Sequence, residues 1–459
     1  MRDLVEPGTG PGGANTGDLR DLVGIRSGEV RCSGVPRSAQ AVCVGRPDAV
    51  YRLESGADGR THFGRVFECR WLGLAGYRNR NETVPHRPDE RDDTTNETDN
   101  LCDLGHHASK ATAVARLYDG AMKLDYYFPP SPPDGAVEAS RLAEDLGYDG
   151  FFSAETQYDP FLPLAFAAAE TDQIDLGTSI AVAFPRSPMT TAMMAWDLAR
   201  LSRGRFVLGL GTQIRAHITR RFSTEWGNPG PRLQEYITAM RAIWDTWQNA
   251  TPLRYKGEFY EFTLMTPFFN PGPIPHPEIP VYIAGVGPWL SRMAGEVCDG
   301  FFVHPFHTAR YLDETVLPNM EQGAVAAGRQ LADVERATSV FVMTGETQSE
   351  IEQAMEPVRQ QISFYASTPS YNHVLEANGW DFGEQLNAMS KRGEWAEMPA
   401  IVPDEAVLEV GIAAPIDELA AAIKGRYEGR VQRVGFYGIG SGGSLTDEQI
   451  GAVMSGLRA

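Results

Sequence analysis

Between Lys123 and Ala459 the sequence repeats one arrangement about eight times: a short apolar run, a polar joint, then an amphipathic helical stretch. The runs are KLDYYF (Lys123–Phe128), DGFFSAE (Asp149–Glu155), IDLGTSIAV (Ile174–Val182) and GRFVLGLG (Gly204–Gly211), followed by IPVYIAGVG (Ile279–Gly287), DGFFVHP (Asp299–Pro305), ATSVFVMTG (Ala337–Gly345) and VQRVGFYGIG (Val431–Gly440). Each is almost continuously apolar, which suits a strand covered on both faces of a parallel sheet. Eight strand–helix units over about 340 residues have the length and rhythm of a (β/α)8 barrel. Chemistry in that fold gathers where strands end and βα loops begin, so the joints are where functional residues are sought.

The net charge of −19 argues against a nucleic-acid partner, because phosphate binding wants basic surface. A phosphorylated cofactor held locally by backbone amides is still compatible with it. No apolar run reaches the roughly 18–20 residues of a membrane span, and MRDLVEPGTGPGG lacks the apolar centre of a signal peptide. The expectation is a cytoplasmic protein acting on a small molecule, with no membrane partner. Cys32, Cys43, Cys69 and Cys102 precede residue 122 and Cys298 follows it; none has CxxC spacing, so neither a metal site nor a disulfide framework is expected.

Residues 1–121 are rich in Gly, Arg, Asp and Pro and carry no sustained period. Arg78–Asn100 is almost wholly polar and should not fold alone. We read 1–121 as a disordered leader or an over-extended gene start, with Met122 opening the barrel of residues 122–459, and assign the leader no chemistry.

Among the joints, Asp134 is expected to cap the helix VEASRLAEDLGYD, and Glu155 falls at the end of the second strand. The third strand has a small-residue step at Thr178-Ser179-Ile180 before a helix opened by Ser187-Pro188. Ala284-Gly285-Val286-Gly287 precedes the helix PWLSRMAGEV. Small residues there let backbone approach an anion, and the helix start offers unpaired N–H groups. Gly438–Gly443 (GIGSGG) ends the last strand, so it reads as a closing loop and not a dinucleotide fingerprint. Long insertions at 216–231, 251–280 and 367–415 read as lids or pocket walls, with Arg220, Arg221, Trp226, Tyr260, Phe268, Phe269 and Trp380 supplying an aromatic pocket.

Taken together, LDYYF, GYDGFFSAE, GTSIAV followed by RSP, SRGRFVLGLG, PVYIAGVGP and CDGFF resemble the bacterial luciferase-like monooxygenase superfamily. Within it they resemble the branch of oxidoreductases that use the deazaflavin coenzyme F-420. The resemblance spans Met122–Ala459 and implies a luciferase-like (β/α)8 TIM barrel with rim insertions. It implies a non-prolyl cis peptide at Ser179–Ile180 backing the tricyclic ring. Gly211, Thr212 and Gln213 would then touch the ring edge, and Ala284, Gly285, Val286 and Gly287 would hold the phosphate end. Departures are equally informative. Where sugar-phosphate dehydrogenases of this superfamily carry a histidine, a base and a phosphate-gripping Thr/Lys pair, this chain has Thr156, Ile214, and His304 with His307. It should therefore not be a sugar-phosphate dehydrogenase.

Glu155, His217 and His304 are left as candidates to manage a proton. Thr156, His307 and Trp226 are candidates for the substrate pocket. The activity expected is hydride transfer between coenzyme F-420 and a small organic substrate. Alternatives are an FMN-dependent monooxygenase, which would need a flavin reductase as partner, and a non-catalytic flavin-binding barrel. A homodimer stays open.

Overall fold

The computed structural model describes residues 121–438 and 445–459, together with the backbone of two short strands, Arg52–Ser55 and Thr61–Gly64, which pair antiparallel in the leader. The rest of residues 1–120 and most of the GIGSGG loop lie outside the described residues.

Eight parallel strands close on themselves: β1 (Lys123–Phe128), β2 (Gly150–Ser153), β3 (Asp175–Thr178), β4 (Phe206–Gly211), β5 (Val281–Gly285), β6 (Gly300–Val303), β7 (Glu335–Val340) and β8 (Arg433–Phe436). Each pairs with the next, β4 pairs with β5, and β8 returns to β1. The barrel expected from the sequence is thus present. Continuous apolar runs conceal an alternation that closure makes visible. Phe151 packs outward under the helices while Phe152 joins Val207, Tyr282, Phe302 and Ala337 inside. Room for those rings comes from glycine: a Cβ on Gly177 would lie 2.5 Å from the Phe152 ring, and one on Gly300 2.5 Å from Tyr282.

The floor of the barrel is ionic. Arg433, the first residue of β8, has no exposed side-chain surface. It donates to both carboxylate oxygens of Asp125 on β1 (2.7 and 2.9 Å) and to Asp175 on β3 (2.8 Å), with Glu335 of β7 3.7 Å away. Its guanidinium sits 5.3 Å from the Phe152 ring, and the Tyr282 hydroxyl donates to Glu335. Burial outweighs Arg433 and pushes the Asp125 carboxyl up to about 6.

The helices that matter for the rim are α1 (Ala136–Leu146), α2 (Leu162–Glu170), α3 (Pro188–Leu201), α4 (Pro229–Asn249), α5 (Pro288–Val297), α6 (Leu317–Ala326) and α7 (Gln348–Ala366). Ser187 caps α3 by accepting from Thr190 N–H, as Ser-Pro predicts. Asp134 does not cap α1: it lies inside a short 3-10 turn, Pro133–Gly135, and makes no side-chain cap bond. Helix α4 buries Leu233, Tyr236, Ile237, Met240, Ile243, Trp244 and Trp247 along one stripe. The insertion between α7 and β8 folds into α8 (Asn372–Asn378), α9 (Gly383–Arg392), α10 (Asp404–Val410) and a strand, Ile412–Pro415, that pairs parallel with Val342–Gly345. Among the described residues no helix is long and apolar enough to cross a membrane.

Replacing Arg433 with Met would strand Asp125 as a buried charge and leave Glu335 with Lys123, 3.7 Å away, as its remaining ion-pair partner among the described residues. Removing one partner of a buried ionic cluster typically costs about 3–5 kcal/mol. The urea midpoint of Arg433→Met should fall accordingly, and an unchanged midpoint would show that the floor does not anchor the barrel.

Candidate active site

The C-terminal rim is built around an interruption of the third strand. Thr178 ends β3 with its hydroxyl donating to Gly209 O (2.7 Å) and accepting from Gly209 N–H (2.9 Å). Ser179 N–H then donates to Ser153 O, the Ser179–Ile180 peptide is cis, and Ala181–Val182 resumes pairing with Leu210–Gly211 of β4. A Cβ on Gly211 would fall 2.6 Å from Ile180 Cδ1, so glycine is what lets the Ile180 side chain lie against β4. Gln213 has φ 57°, and its side-chain oxygen accepts from Ile214 N–H (2.9 Å), folding Gln213 onto its own turn.

Glu155 belongs to this wall. Its N–H donates to Ile180 O (3.1 Å), and its carboxylate accepts from Val182 N–H and from Arg186, both at 2.7 Å. Its side chain is only 5% exposed. Arg186 also reaches Asp159 (2.8 Å), whose other oxygen accepts from the Phe161 and Leu162 N–H groups at the start of α2. The carboxylate that the sequence offered as a proton carrier is therefore a brace holding the β3 bulge to the second βα loop.

Across the rim, Ala284–Gly287 lead from β5 into α5 and are all partly exposed. The two glycines differ in role. A Cβ on Gly285 would lie 2.7 Å from Leu290 Cβ, so Gly285 serves helix packing. One on Gly287 would meet nothing nearer than His373 of α8, at 3.6 Å. Gly287 thus leaves an approach open at the start of α5, where Pro288 has no N–H and the following amides face outward along the axis. Tyr311 donates to Val286 O and pins the loop from behind.

The three candidate histidines have different fates. His217 opens a π-helical turn, His217–Arg221, and is exposed. His304, at the end of β6, is half-buried: its Nδ1 accepts from Phe306 N–H (3.1 Å), its Nε2 meets the Tyr371 hydroxyl (3.1 Å), and Tyr365 packs edge-on against the ring. Burial pushes its pKa down to about 3, with nearby His307 adding to the effect. His307, expected to line a substrate pocket, is 2% exposed. Its ring nitrogens bond His304 O (2.8 Å) and the Tyr427 hydroxyl (3.1 Å), which makes it an internal strut of the β6 turn that cannot reach a ligand. Burial brings its pKa down to about 4.

Other pocket residues divide as well. Trp226 packs edge-on to Phe184, 6.3 Å between centroids, and Tyr260 packs on Tyr236. Thr156 is exposed, and its carbonyl accepts from Arg221, drawing the β4 loop over the β2 loop. Phe268 and Phe269, expected in the pocket wall, pack on each other and are 88% and 70% exposed. Sequence reasoning did not single out Arg186, Arg232, Phe184, Tyr365, Tyr371 or Tyr437 as site residues. Arg186 lies in the RSP motif, so its place was visible though its partners were not; nothing local marks Tyr371.

A family model described as luciferase-like monooxygenase matches residues 110–433. An uncharacterized protein of Mycobacterium tuberculosis is 45% identical over 300 residues, spanning 65% of this chain and 88% of that protein. A putative coenzyme F-420-dependent oxidoreductase of the same organism is 28% identical over 316 residues, spanning 64% and 87%. Among solved structures, the coenzyme F-420-dependent tetrahydromethanopterin reductase from Methanopyrus kandleri shares the fold, with TM-score 0.60 at 21% identity over 73% of this chain and 97% of that one.

The buried histidines set a pH dependence of stability. Both have folded pKa values well below the usual 6.5, so below about 6.5 the unfolded chain binds more protons than the folded one. Their contribution is full above that pH and is lost as pH falls towards 4, at up to about 1.4 kcal/mol per pH unit for each. Asp125, raised in the fold, acts in the opposite sense between about 4 and 6, so a difference between proteins isolates the histidines. His307→Gln should lose less urea resistance than wild type between pH 6.5 and 4.5. Parallel pH profiles would contradict the assignment.

Proposed function

The chain belongs to the luciferase-like monooxygenase family of flavin- and deazaflavin-dependent oxidoreductases, and we propose that it transfers a hydride between coenzyme F-420 and a small organic substrate at the C-terminal rim of its barrel. The observation that carries this reading is the pairing of the braced β3 bulge with an open glycine approach at the start of α5. The named F-420-dependent relative supports the choice of deazaflavin over FMN.

The residues present fit such a group. Ser179, Ile180, Gly211, Thr212 and Gln213 would flank the ring. Ala284, Gly285, Val286 and Gly287, with the first amides of α5, would hold the phosphate end, and Gly287 leaves the space that a side chain would fill. When bound, the deazaflavin supplies or accepts a hydride at carbon 5. Glu155 and Arg186 keep the bulge from shifting. Trp226, partly exposed and packed on buried Phe184, presents apolar surface that favours an organic substrate.

Proton handling falls to His304 and Tyr371. Phe306 N–H donates to Nδ1 of His304, which assigns the ring proton to Nε2 and directs it at the Tyr371 oxygen. The tyrosine's own proton is then free to be given to a substrate oxygen, and the Nε2–H stabilises the tyrosinate left behind. With its pKa near 3, His304 is neutral at physiological pH, so it orients and stabilises without itself supplying the proton. His217 and Thr156, both exposed at the mouth, are readings for substrate contact only.

Anaerobic titration of the purified protein with F-420 and with FMN tests the cofactor. Tight binding of the deazaflavin is expected, and binding of FMN alone would replace this reading with the monooxygenase one. Gly287→Val should weaken cofactor affinity at least about tenfold with little loss of thermal stability, since no wall stands within 3.4 Å of the added Cβ. Tyr371→Phe and His304→Ala should each lower turnover about 100-fold with cofactor affinity within a few-fold. Wild-type turnover in both would move the proton to solvent or to another group.

A further inference from the structure

Arg232, in the first turn of α4, is partly buried and has no carboxylate within 4.0 Å among the described residues. Its Nε donates to the Tyr260 hydroxyl (3.0 Å) and its Nη1 to Glu225 O (3.0 Å). Nη2 has no acceptor among the described residues. The guanidinium lies over two rings, 4.6 Å from the centroid of Phe184 and 5.7 Å from that of Tyr260. Phe184 in turn packs against Trp226, and it follows directly on the β3 bulge.

Other arginines that are wholly or partly buried are treated differently by this fold. Arg186 holds two carboxylates, Arg241 holds Asp299, and Arg433 holds Asp125 and Asp175. Arg205 and Arg426 lack a hydrogen-bonded carboxylate, yet each spends both terminal nitrogens on main-chain or hydroxyl oxygens. Arg232 instead keeps a terminal nitrogen free beside aromatic faces, at the end of a 21-residue helix where the dipole disfavours a cation. A guanidinium partly withdrawn from water, with neutral partners only, gains from an incoming anion.

We propose that Arg232 is the receptor for an anionic oxygen group on the substrate, so that the substrate class is an organic carboxylate or phosphate whose apolar body lies on the partly exposed Trp226, with buried Phe184 backing both Trp226 and the guanidinium. The proposal rests on the reading of this rim as a substrate site. It is independent of which cofactor serves that site. The two anions share one chemistry, and the probes below separate them.

The test uses the full-length protein, free of cofactor, with benzoate, phenyl phosphate and the neutral isostere benzamide as probes, followed by calorimetry and thermal shift. Wild type should bind benzoate or phenyl phosphate, and whichever binds better names the anion; benzamide should bind at least about tenfold more weakly, the worth of one charge-assisted contact. Arg232→Met should lose that preference, and Arg232→Lys should keep part of it. Without ligand, Arg232→Met should melt no lower than wild type, because no buried carboxylate is stranded.

Equal binding of benzoate and benzamide by wild type overturns the proposal without needing any variant. So does benzoate binding that is the same in wild type and Arg232→Met. F-420, FMN and riboflavin are titrated into the same proteins. If Arg232→Met weakens F-420 or FMN as much as it weakens benzoate while sparing riboflavin, Arg232 serves the cofactor's phosphate and the substrate assignment falls. If wild type binds no cofactor at all, the cofactor reading fails and the anion measurements still decide Arg232.

Discussion

Arg433 carries a full charge inside a closed barrel, and three other strands supply the carboxylates that tolerate it. Asp125, Asp175 and Glu335 come from β1, β3 and β7, so one guanidinium ties together strands that are far apart in sequence. An unpaired charge there would cost several kcal/mol, which makes the strand register that brings these groups together far cheaper than its neighbours. Above this floor comes the ring layer of Phe152, Tyr282 and Phe302, and only above that does the chain become irregular. The order floor, ring layer, rim separates what must be rigid from what can serve a ligand.

At the rim the same physics recurs on a smaller scale. Glu155 is held by a backbone amide and by Arg186, and through them the interrupted third strand is joined to the start of α2. A carboxylate with an arginine partner at 2.7 Å is poorly suited to deliver a proton; the proposed donor is instead the Tyr371 hydroxyl, whose pKa burial pushes up to about 12 and which therefore needs the Nε2–H of neutral His304 to stabilise its anion. Burial does opposite things to the two kinds of group. It drives His304 and His307 to their neutral forms, while the cation of Arg186 is kept by its carboxylates. The site thereby sorts its polar residues into braces and hydrogen-bond donors.

The rim insertions matter through what they bring together. Tyr371 lies just before α8, and two residues later His373 stands over Gly287, so one short segment touches both the β6 turn and the loop after β5. The β4 insertion places Trp226 on Phe184 and ties Arg221 to Thr156. Phe268 and Phe269, from the insertion before β5, instead face solvent.

Strand–helix rhythm, the helix opened by Ser187 and the small-residue loop at Ala284–Gly287 could all be read along the chain, because each depends on neighbours within a few residues, whereas the interruption at Ser179–Ile180 was implied only by the family resemblance. The barrel followed from that rhythm, since eight buried parallel strands with helical returns have few other ways to close. Partnerships could not be read this way. That Glu155 braces the bulge, that His307 is a strut and His304 a donor to Tyr371, and that Arg232 lies over Phe184 with no carboxylate near it among the described residues depend on groups 27 to 120 residues apart. Local sequence sets the type of each residue and its position on an element. Its charge state and reach are decided by the desolvation and hydrogen bonds that only the closed barrel and its folded insertions impose.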